Sequence, residues 1–324
     1  MKDGEGKERP GRVARSLALW SWAGTVLLAV GTGLGFAGRL AWWLELASHF
    51  RMQFFWGAVV VLVIFALLRR RRGLACAALL CAINGVVIAP LYVSESSNSP
   101  GAADRPVLRL LIANVHASNR DHSRLLELVC REKPHILLLE EIDGSWLAAL
   151  NALASDYPHR VLRARPDNFG IALLSRIPLE LGEIRQYGTA GVPSIEARIT
   201  HGGEPLQILL THPVPPVGRD NAMRRDEQAS VVSKAARALG RRTILAGDFN
   251  MTPWSPVFAD LLESSGLRDS ARGFGLQTTW PMTLPLPCRI PIDHCLHAPD
   301  LEVVDRRAGP DIGSDHLPLI VELR

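Results

Sequence analysis

Residues 243–250 read TILAGDFN, and this stretch carries the most informative pattern in the chain. Residues 243–246 form a short apolar run of the kind found in a buried β-strand. Gly247 ends the run, and Asp248 and Asn250 follow it directly. A buried strand that ends in a carboxylate and an amide carries polar side chains to the rim of a packed sheet, which is a usual place for a site.

The region around this stretch, residues 107–324, contains many short strand patterns and few helical ones. Many strands interleaved with few helices favour a mixed α/β sandwich over a regular doubly wound sheet. The predicted strands are 107–114, 135–141, 169–175, 194–200, 206–211, 243–246, 292–296, 301–305 and 317–322, and the predicted helices are 123–131, 145–154 and 221–239.

Polar residues recur at the ends of several other predicted strands. They are Asn114, Glu140 and Glu141, His212, Asp293 with His294, and Asp315 with His316. The ends of successive strands converge at one rim of a packed sheet, so we expect these side chains to gather there. His294 is expected to have a structural role.

The residue types indicate the chemistry. Carboxylate and amide oxygens without thiolate favour a hard cation such as Mg²⁺, which binds through one or two carboxylates together with substrate phosphate oxygens. Histidine beside such an ion can stabilise phosphate oxygens or move a proton. The combination suits phosphoester hydrolysis, whereas the chain has no phosphate-binding P-loop, no G-x-S-x-G motif and no zinc-ligand spacing.

Seven segments of the chain together resemble the endonuclease/exonuclease/phosphatase family, which has the deoxyribonuclease-I-like fold. The resemblance covers residues 107–324, and the segments follow the family's order. It implies a four-layer sandwich of two mixed β-sheets flanked by helices. The segments are LLIANVH (110–116), PHILLLEEI (134–142), NFGIALLSR (168–176), LLTH (209–212), AGDFN (246–250), PIDHCL (291–296) and GSDHLPL (313–319).

The resemblance implies catalytic roles for five residues. Asp248 matches the family's Asp that orients or deprotonates the attacking water, and Asn250 matches the neighbouring Asn that contacts phosphate. His212 and His316 match histidines that contact the phosphoryl group, and Asp293 matches the Asp that orients the last of these.

The same resemblance implies a Mg²⁺ or Mn²⁺ site. Glu141 matches the family's metal-binding Glu, Asn114 an Asn that supports the metal and the phosphate, and Asp315 a metal-binding or nearby supporting carboxylate. One departure is visible, because the family often has Gln before the metal Glu and here that residue is Glu140. Strand alternation predicts that residues 140 and 141 point to opposite faces.

Two further residues are candidates for substrate binding. Asn168 stands where the family has a polar residue near the phosphate, and His116 lies two residues beyond Asn114 on the same strand face. The alternative for His116 is a surface or packing role. Arg224 and Arg225 lie beside Asp226 and Glu227 on a predicted helix, so a solvated face is expected for them.

The N-terminal quarter has a different composition. Residues 1–93 carry 11 Lys and Arg against 4 Asp and Glu, whereas residues 94–324 carry 25 against 28. Segments 16–38, 52–68 and 73–94 contain no charged residue, and each approaches the roughly 20 apolar residues that cross a bilayer. We expect three transmembrane helices within residues 16–93. Buried helices of a soluble protein, or a cleaved signal peptide for the first segment, are the alternatives.

The basic residues predict the orientation. They cluster before the first segment and in the turn at residues 69–72, so the positive-inside rule puts residues 1–15 in the cytoplasm and the C-terminal region outside. A polar linker at residues 94–106 would hold the 107–324 domain near the outer face of the inner (cytoplasmic) membrane. With these spans the chain resembles bacterial membrane-anchored members of the family, some associated with teicoplanin resistance.

The sequence therefore predicts a membrane-anchored, Mg²⁺-dependent phosphoester hydrolase. The acidic balance of residues 94–324, the outward topology and the Pro-rich run 280–291 favour a lipid-linked or envelope phosphate ester, with membrane lipid as a partner. That run either caps the core or forms an apolar wall near the site. A membrane-anchored nuclease acting on nucleic acid is the alternative, and a non-catalytic envelope-binding protein is a third hypothesis. No protein partner is implied.

Overall fold

The computed structural model of the protein describes residues 11–94 and 105–324. The α-helices are α1 (Arg12–Phe36), α2 (Trp42–Glu45), α3 (Arg51–Leu67), α4 (Arg71–Ile88), α5 (Ser123–Glu132), α6 (Gly144–Ala149), α7 (Arg219–Leu239) and α8 (Pro256–Ser265). The strands are β1 (Leu108–Asn114), β2 (Ile136–Glu140), β3 (His159–Arg163), β4 (Ile171–Ser175), β5 (Leu179–Gln186), β6 (Pro193–His201), β7 (Glu204–Thr211), β8 (Thr243–Asp248), β9 (Arg268–Asp269), β10 (Asp293–His297), β11 (Val303–Ala308) and β12 (Leu319–Leu323).

The strands form two mixed six-stranded sheets, with the orders β11-β12-β1-β2-β4-β3 and β5-β6-β7-β8-β10-β9. One face of each sheet packs on the other sheet, and the outer faces carry helices. The first sheet is covered by α5 and α6, and the second by α7 and α8. The predicted four-layer sandwich is confirmed.

The alternation of side chains along each strand explains these layers. In β1, Leu110 and Ile112 face the core between the sheets, whereas Leu111 and Ala113 face the helices. In β8, Ile244 faces the same inner core. Both faces of each central strand are buried, so these strands read as continuous apolar runs in the sequence.

Strand pairing brings the polar strand ends together. β1 and β2 are parallel neighbours with Asn114 beside Glu140, and β8 and β10 are antiparallel neighbours with Asp248 opposite Asp293. All four residues occupy the same end of the space between the two sheets. The predicted convergence of strand ends at one rim is therefore what the fold produces.

Four elements of the sandwich were not predicted from the sequence. They are the strands β3, β5 and β9 and the helix α8. Side chains of β3 and β5 are partly exposed, and their polar residues obscure the strand pattern. The sequence does carry a local signal for helix α8. Ser255 caps its N-terminus by accepting the amide of Val257, and Pro256 occupies the first turn.

The N-terminal bundle, residues 11–94, contains three helices long and apolar enough to cross a membrane: Arg12–Phe36, Trp42–Leu67 and Arg71–Tyr92. The second starts ten residues before the predicted 52–68, because α2 and a 3₁₀ turn at Leu46–Phe50 continue into α3. Large apolar side chains such as Trp20 and Leu27 are exposed on the bundle. Such a surface is costly in water and suits a hydrocarbon surround.

The bundle packs directly on the sandwich. The backbone carbonyl of Leu91 accepts the amides of Gly273 (3.0 Å) and Gly275 (2.8 Å). Gln53 donates to the carbonyl oxygens of Pro287 (3.0 Å) and Arg289 (3.2 Å) in the Pro-rich run. These contacts restrain the sandwich to one face of the bundle, although the linker residues 95–104 lie outside the described residues.

A buried ion pair strengthens this junction. Glu45 of α2 accepts hydrogen bonds from Arg225 of α7 (3.1 Å) and from Ser255 (2.6 Å), and Arg225 has no exposed surface. The prediction that Arg225 belongs to a solvated face is therefore wrong. The residues around Arg225 in the sequence do not indicate this partner, because Glu45 lies 180 residues away.

Replacement of Glu45 by Gln should destabilise the protein strongly. The substitution removes one of the two carboxylates that pair with the buried Arg225 guanidinium and leaves Asp226, at 2.8 Å, as its charged partner, and breaking a buried pair costs up to about 3–5 kcal/mol. For a domain of this size that corresponds to a fall of about 10 °C in Tm, measured by thermal unfolding in detergent.

The matched control is Asp260→Asn, which breaks another ion pair across the same junction. Asp260 binds Arg39 at 2.6 Å, but the two side chains are 51% and 61% exposed. An exposed pair contributes about 0–1 kcal/mol. Equal small shifts for the two variants would show that the buried pair does not stabilise the junction.

Candidate active site

The candidate site lies at one end of the space between the two sheets. Asp248 and Asp293 end and begin the paired strands β8 and β10, and Asn114 ends β1 in the opposite sheet. All three are buried. Charged side chains here cannot be hydrated freely, so they must be compensated by partners from the neighbouring strands.

Two imidazoles flank Asp248. The Nε2 atoms of His212 and His316 each lie 3.6 Å from the same carboxylate oxygen, Asp248 Oδ2. His316 donates from Nδ1 to Asp293 Oδ2 at 2.9 Å. This hydrogen bond orients the His316 ring so that its other nitrogen faces Asp248.

The charges of this group depend on one another. Burial disfavours a charged imidazole, but the carboxylates of Asp293 and Asp248 outweigh it and raise the pKa of His316 to about 10. Burial also raises the pKa of Asp248, with a smaller opposing effect from His316. In Asp293 the burial effect is overcome by His316, so its pKa lies below the usual range.

A second group of residues lies on the first sheet. Asn114 donates from Nδ2 to Glu141 Oε1 at 2.9 Å and approaches Asp248 Oδ2 at 3.3 Å, which links the two groups. His116 Nδ1 lies 3.6 Å from Glu141 Oε2 and 3.3 Å from Asp315 Oδ1. His116 therefore lies between two of the carboxylates that were predicted to bind the metal.

Left-handed backbone conformations aim two of these side chains. Glu141, directly after β2, has φ +61°, and His116, two residues after the end of β1, has φ +59°. Such conformations are uncommon for residues other than Gly, Asn and Asp, and they often occur where function requires them. Here they turn the Glu141 carboxylate back towards Asn114.

The carboxylate oxygens of Glu141 and Asp315 suit a hard cation in their chemistry, whereas Asn114 turns its amide nitrogen to Glu141 and its oxygen accepts the amide of His116 at 3.0 Å. Asp315 Oδ1 is buried without a hydrogen-bond donor, and this unsatisfied acceptor is the kind of atom that a cation would complete. Ligand atoms of Asp248, Asp293 and His316 also lie within 4.8 Å of one another. In that second set His316 is already hydrogen-bonded to Asp293, so the oxygen-rich set around Glu141 suits Mg²⁺ better.

Glu140 also lies in the site, among the polar side chains that gather at the strand ends. It points into the space between the sheets, where both carboxylate oxygens accept the amide of Asp248, at 2.9 and 3.1 Å. Burial and then the charge of Asp248 raise its pKa well above the usual range. Gly247 makes the approach feasible, because a Cβ there would lie 2.3 Å from Glu140 Oε1.

The two predicted asparagines differ in their placement. Asn250 donates its backbone amide to Asp248 Oδ1 at 2.9 Å and its side-chain amide to the carbonyl of Pro213 at 2.9 Å. Asn168 is exposed, in the turn before β4. The next residue, Phe169, stacks its ring 5.5 Å from that of His212, which places Asn168 beside the site rather than in it.

Three supporting residues were missed in the sequence. Ser314 donates to the carbonyl of Asn114 at 2.8 Å and accepts the amide of His316 at 3.1 Å, so it ties the loop that carries His316 to the end of β1. Trp280 donates from Nε1 to Asp315 Oδ2 at 3.1 Å. Thr279 accepts the amide of Asp293 at 3.4 Å. Ser314 lies within the GSDHLPL segment, whereas the other two carry no local signal.

His294 packs against Phe249 and Phe258, as expected of a structural residue.

Asp293→Asn should change the pH dependence of stability. The pKa of His316 is about 10 in the folded protein and about 6.5 when unfolded, so its pairing stabilises fully below pH 6.5 and is lost as the pH rises to 10. The lowered pKa of Asp293 means that its own contribution is present above about pH 4. The variant should therefore be most destabilised between about pH 4 and 6.5.

Thermal unfolding in detergent with EDTA, recorded from pH 4 to pH 10, measures this effect. The control is Asp156→Asn, which removes an exposed carboxylate far from any histidine of the site. A difference between wild type and Asp293→Asn that stays constant across this range would contradict the coupling of the two groups.

Comparisons with solved structures agree with the fold. An endonuclease/exonuclease/phosphatase from Bacteroides vulgatus is 17% identical with a TM-score of 0.57, and it covers 68% of this chain and 99% of its own. D. rerio TDP2 complexed with a single-strand DNA product is 18% identical with a TM-score of 0.57, covering 67% and 99%. Sphingomyelinase C from Streptomyces griseocarneus is 17% identical with a TM-score of 0.51, covering 67% and 99%.

At these identities the likeness establishes the fold alone. No curated protein matches the sequence. A family model does match, over residues 96–316, and its description is the endonuclease/exonuclease/phosphatase family. This stretch is more than half of the chain and contains every candidate residue of the site, and the chain therefore belongs to the endonuclease/exonuclease/phosphatase family.

Proposed function

We propose that the protein hydrolyses a lipid-linked or envelope-associated phosphate ester at the outer face of the cytoplasmic membrane, with Mg²⁺ or Mn²⁺ as cofactor. One observation carries the chemistry: His212 and His316 flank a single oxygen of the buried Asp248, next to the oxygen-rich group around Glu141. Membership of a family of phosphoester hydrolases supports the reaction class.

In the proposed reaction Asp248 positions the attacking water and accepts its proton. Burial raises the pKa of Asp248, which makes this carboxylate a better base than an exposed one. Asn250 fixes its second oxygen through the backbone amide. His316, which is protonated and lies against the same carboxylate, would give its Nε2 proton to the leaving-group oxygen and would then be reprotonated from Asp248.

The histidines would stabilise the phosphoryl oxygens. With a pKa raised to about 10, His316 carries a positive charge at neutral pH and is held in place by Asp293. A preorganised cation in a buried site stabilises developing negative charge more strongly than one in water. His212 contacts the other side of Asp248 and would bind a second oxygen.

Glu141, Asp315 and Asn114 would hold the divalent ion. When bound, such an ion neutralises charge on the phosphate. The Asn114 side-chain amide donates to Glu141 and lies near Asp248. It would therefore hold the ion-binding carboxylate and the general base at a fixed distance from each other. His116 lies between Glu141 and Asp315. Asn168 lies at the rim of the site. His116 and Asn168 would both contact the substrate.

The N-terminal bundle supports a substrate at the membrane. Three helices are long and apolar enough to span a membrane, and the sandwich makes direct hydrogen bonds with them. The solved neighbours include a sphingomyelinase and an enzyme with a DNA product, so the fold by itself does not select lipid or nucleic acid. The acidic balance of residues 94–324 disfavours a nucleic-acid duplex.

Hydrolysis tests the function directly. The detergent-purified protein should release phosphate or a head group from lipid phosphates, with Mg²⁺ or Mn²⁺ and not with EDTA. A panel of phosphomonoesters, phosphodiesters, lipid diphosphates and intact plasmid DNA, the last scored for nicking, defines the substrate class. Asp248→Ala should lower kcat by about 10²–10⁴, the usual contribution of a general base. Cleavage of DNA alone would reject the lipid substrate in favour of a nuclease.

Glu141→Gln tests the metal assignment. Loss of a ligand carboxylate should raise the Mg²⁺ concentration for half-maximal activity by about tenfold or more, since even supporting residues change metal affinity 10–100-fold. The control is Glu263→Gln, an exposed carboxylate on α8. An unchanged Mg²⁺ requirement in Glu141→Gln would remove this residue from the metal site.

The proposed topology places residues 1–15 in the cytoplasm, three spans in residues 16–93, a linker at 94–106 and the catalytic domain, residues 107–324, outside. Cys130 and Cys288 are exposed on the sandwich. A membrane-impermeant maleimide should label them in right-side-out vesicles, whereas a cysteine introduced by Arg70→Cys should react only after permeabilisation. The reverse labelling pattern would invert the topology.

A further inference from the structure

An apolar groove lies between the N-terminal bundle and the site. It has a volume of about 530 Å³, within the range of small-molecule sites. Trp42, Leu46 and Phe50 form one wall, and the loop containing Pro216 and Val217 forms the other. Its lining is almost entirely apolar.

One wall of the groove is continuous with a membrane-spanning segment. Trp42, Leu46 and Phe50 belong to the helical stretch Trp42–Leu67, which is long and apolar enough to span. Phe50 is 43% exposed and Val217 is 76% exposed, so both walls present apolar surface. A lipid in the bilayer around this helix would meet the groove without crossing a polar barrier.

The opposite end of the groove reaches the site. Asn250 and Trp280 line it there. Asn250 donates its backbone amide to Asp248, and Trp280 donates to Asp315 while its ring lies 6.3 Å from that of His316. The groove thus connects the membrane helix with the groups assigned to the phosphate.

The polar side chains at the groove already have neighbours in the protein, and His49 Nε2, which makes no hydrogen bond, lies 3.3 Å from the Glu45 carboxylate. His49 pairs with Thr252 at 3.0 Å, and the Asn250 side chain binds the carbonyl of Pro213 at 2.9 Å. A ligand in the groove would therefore be held by apolar contact. Hydrocarbon meets this requirement, whereas a sugar or a nucleoside would leave its hydroxyl groups unpaired.

We infer that this groove receives the hydrocarbon chain of a lipid phosphate whose head group occupies the site. The inference rests on the proposed function and adds the route by which the substrate reaches the site from the membrane. The buried pair of Glu45 and Arg225 holds the groove in shape, because Glu45 adjoins the wall residue Leu46 and Arg225 also donates to the carbonyl of Asn250 at 3.3 Å.

Chain-length selectivity tests the groove. Hexadecyl and butyl phosphate, and the matching diphosphates, are compared as substrates of the full-length protein in detergent. Val217→Asp should lower the ratio of kcat/KM for the hexadecyl over the butyl ester tenfold or more, mainly through KM of the long ester. Leu46→Trp, which fills the groove from the other wall, should have the same effect. The control is Val304→Asp, which changes an exposed valine of β11 that does not line the groove.

The outcomes separate the two proposals. If the wild type cleaves neither ester, the proposed function fails. If it cleaves both and the groove variants keep the wild-type ratio, the groove inference is overturned while the hydrolase activity stands.

Photo-crosslinking gives a second readout that does not depend on turnover. Hexadecyl phosphate with a diazirine at the end of its chain is irradiated with the Asp248→Ala variant. Labelling of residues 42–50 or 213–218, suppressed by excess unlabelled hexadecyl phosphate, is expected. Labelling confined to the outward face of α1, for example at Trp20 or Leu27, would overturn the inference.

Discussion

The compensation of buried carboxylates is the constraint on which the rest of the site depends. Asp248, Asp293 and Glu140 are all buried where the two sheets end. Each is accommodated by a different means. Asp293 pairs with the His316 imidazole, and Asp248 lies between two histidines. Glu140 accepts the amide of Asp248, and burial raises its pKa, which favours the neutral carboxyl group. Groups arranged in this way have perturbed pKa values, and such values are a common mark of catalytic sites.

The same constraint explains why small features of the backbone matter. Gly247 leaves room for the Glu140 carboxylate, and the left-handed conformation of Glu141 directs its side chain towards Asn114. Ser314 joins the first sheet to the loop that carries His316. The site is thus assembled from both sheets, and its geometry depends on how they pack on each other.

The N-terminal bundle contributes more than three apolar helices. It forms a buried ion pair with the sandwich and supplies one wall of a groove that leads to the site. A tether without such contacts would leave the orientation of the site relative to the bundle unrestrained. The direct docking presents the site next to the end of a helix that is long and apolar enough to span a membrane, an arrangement that suits the proposed lipid substrate.

The sequence by itself determined the layered fold, the three apolar helices and the residues at the strand ends, because each of these has a local pattern of apolar residues or a short motif. It also indicated TILAGDFN as the stretch from which the site is built. The tertiary structure decided what depends on distant partners. The pairing of Arg225 with Glu45, the inward position of Glu140 and the contact of Trp280 with Asp315 join residues far apart in the chain. No local pattern encodes such contacts, since burial and charge compensation arise only when the sheets and the bundle pack together.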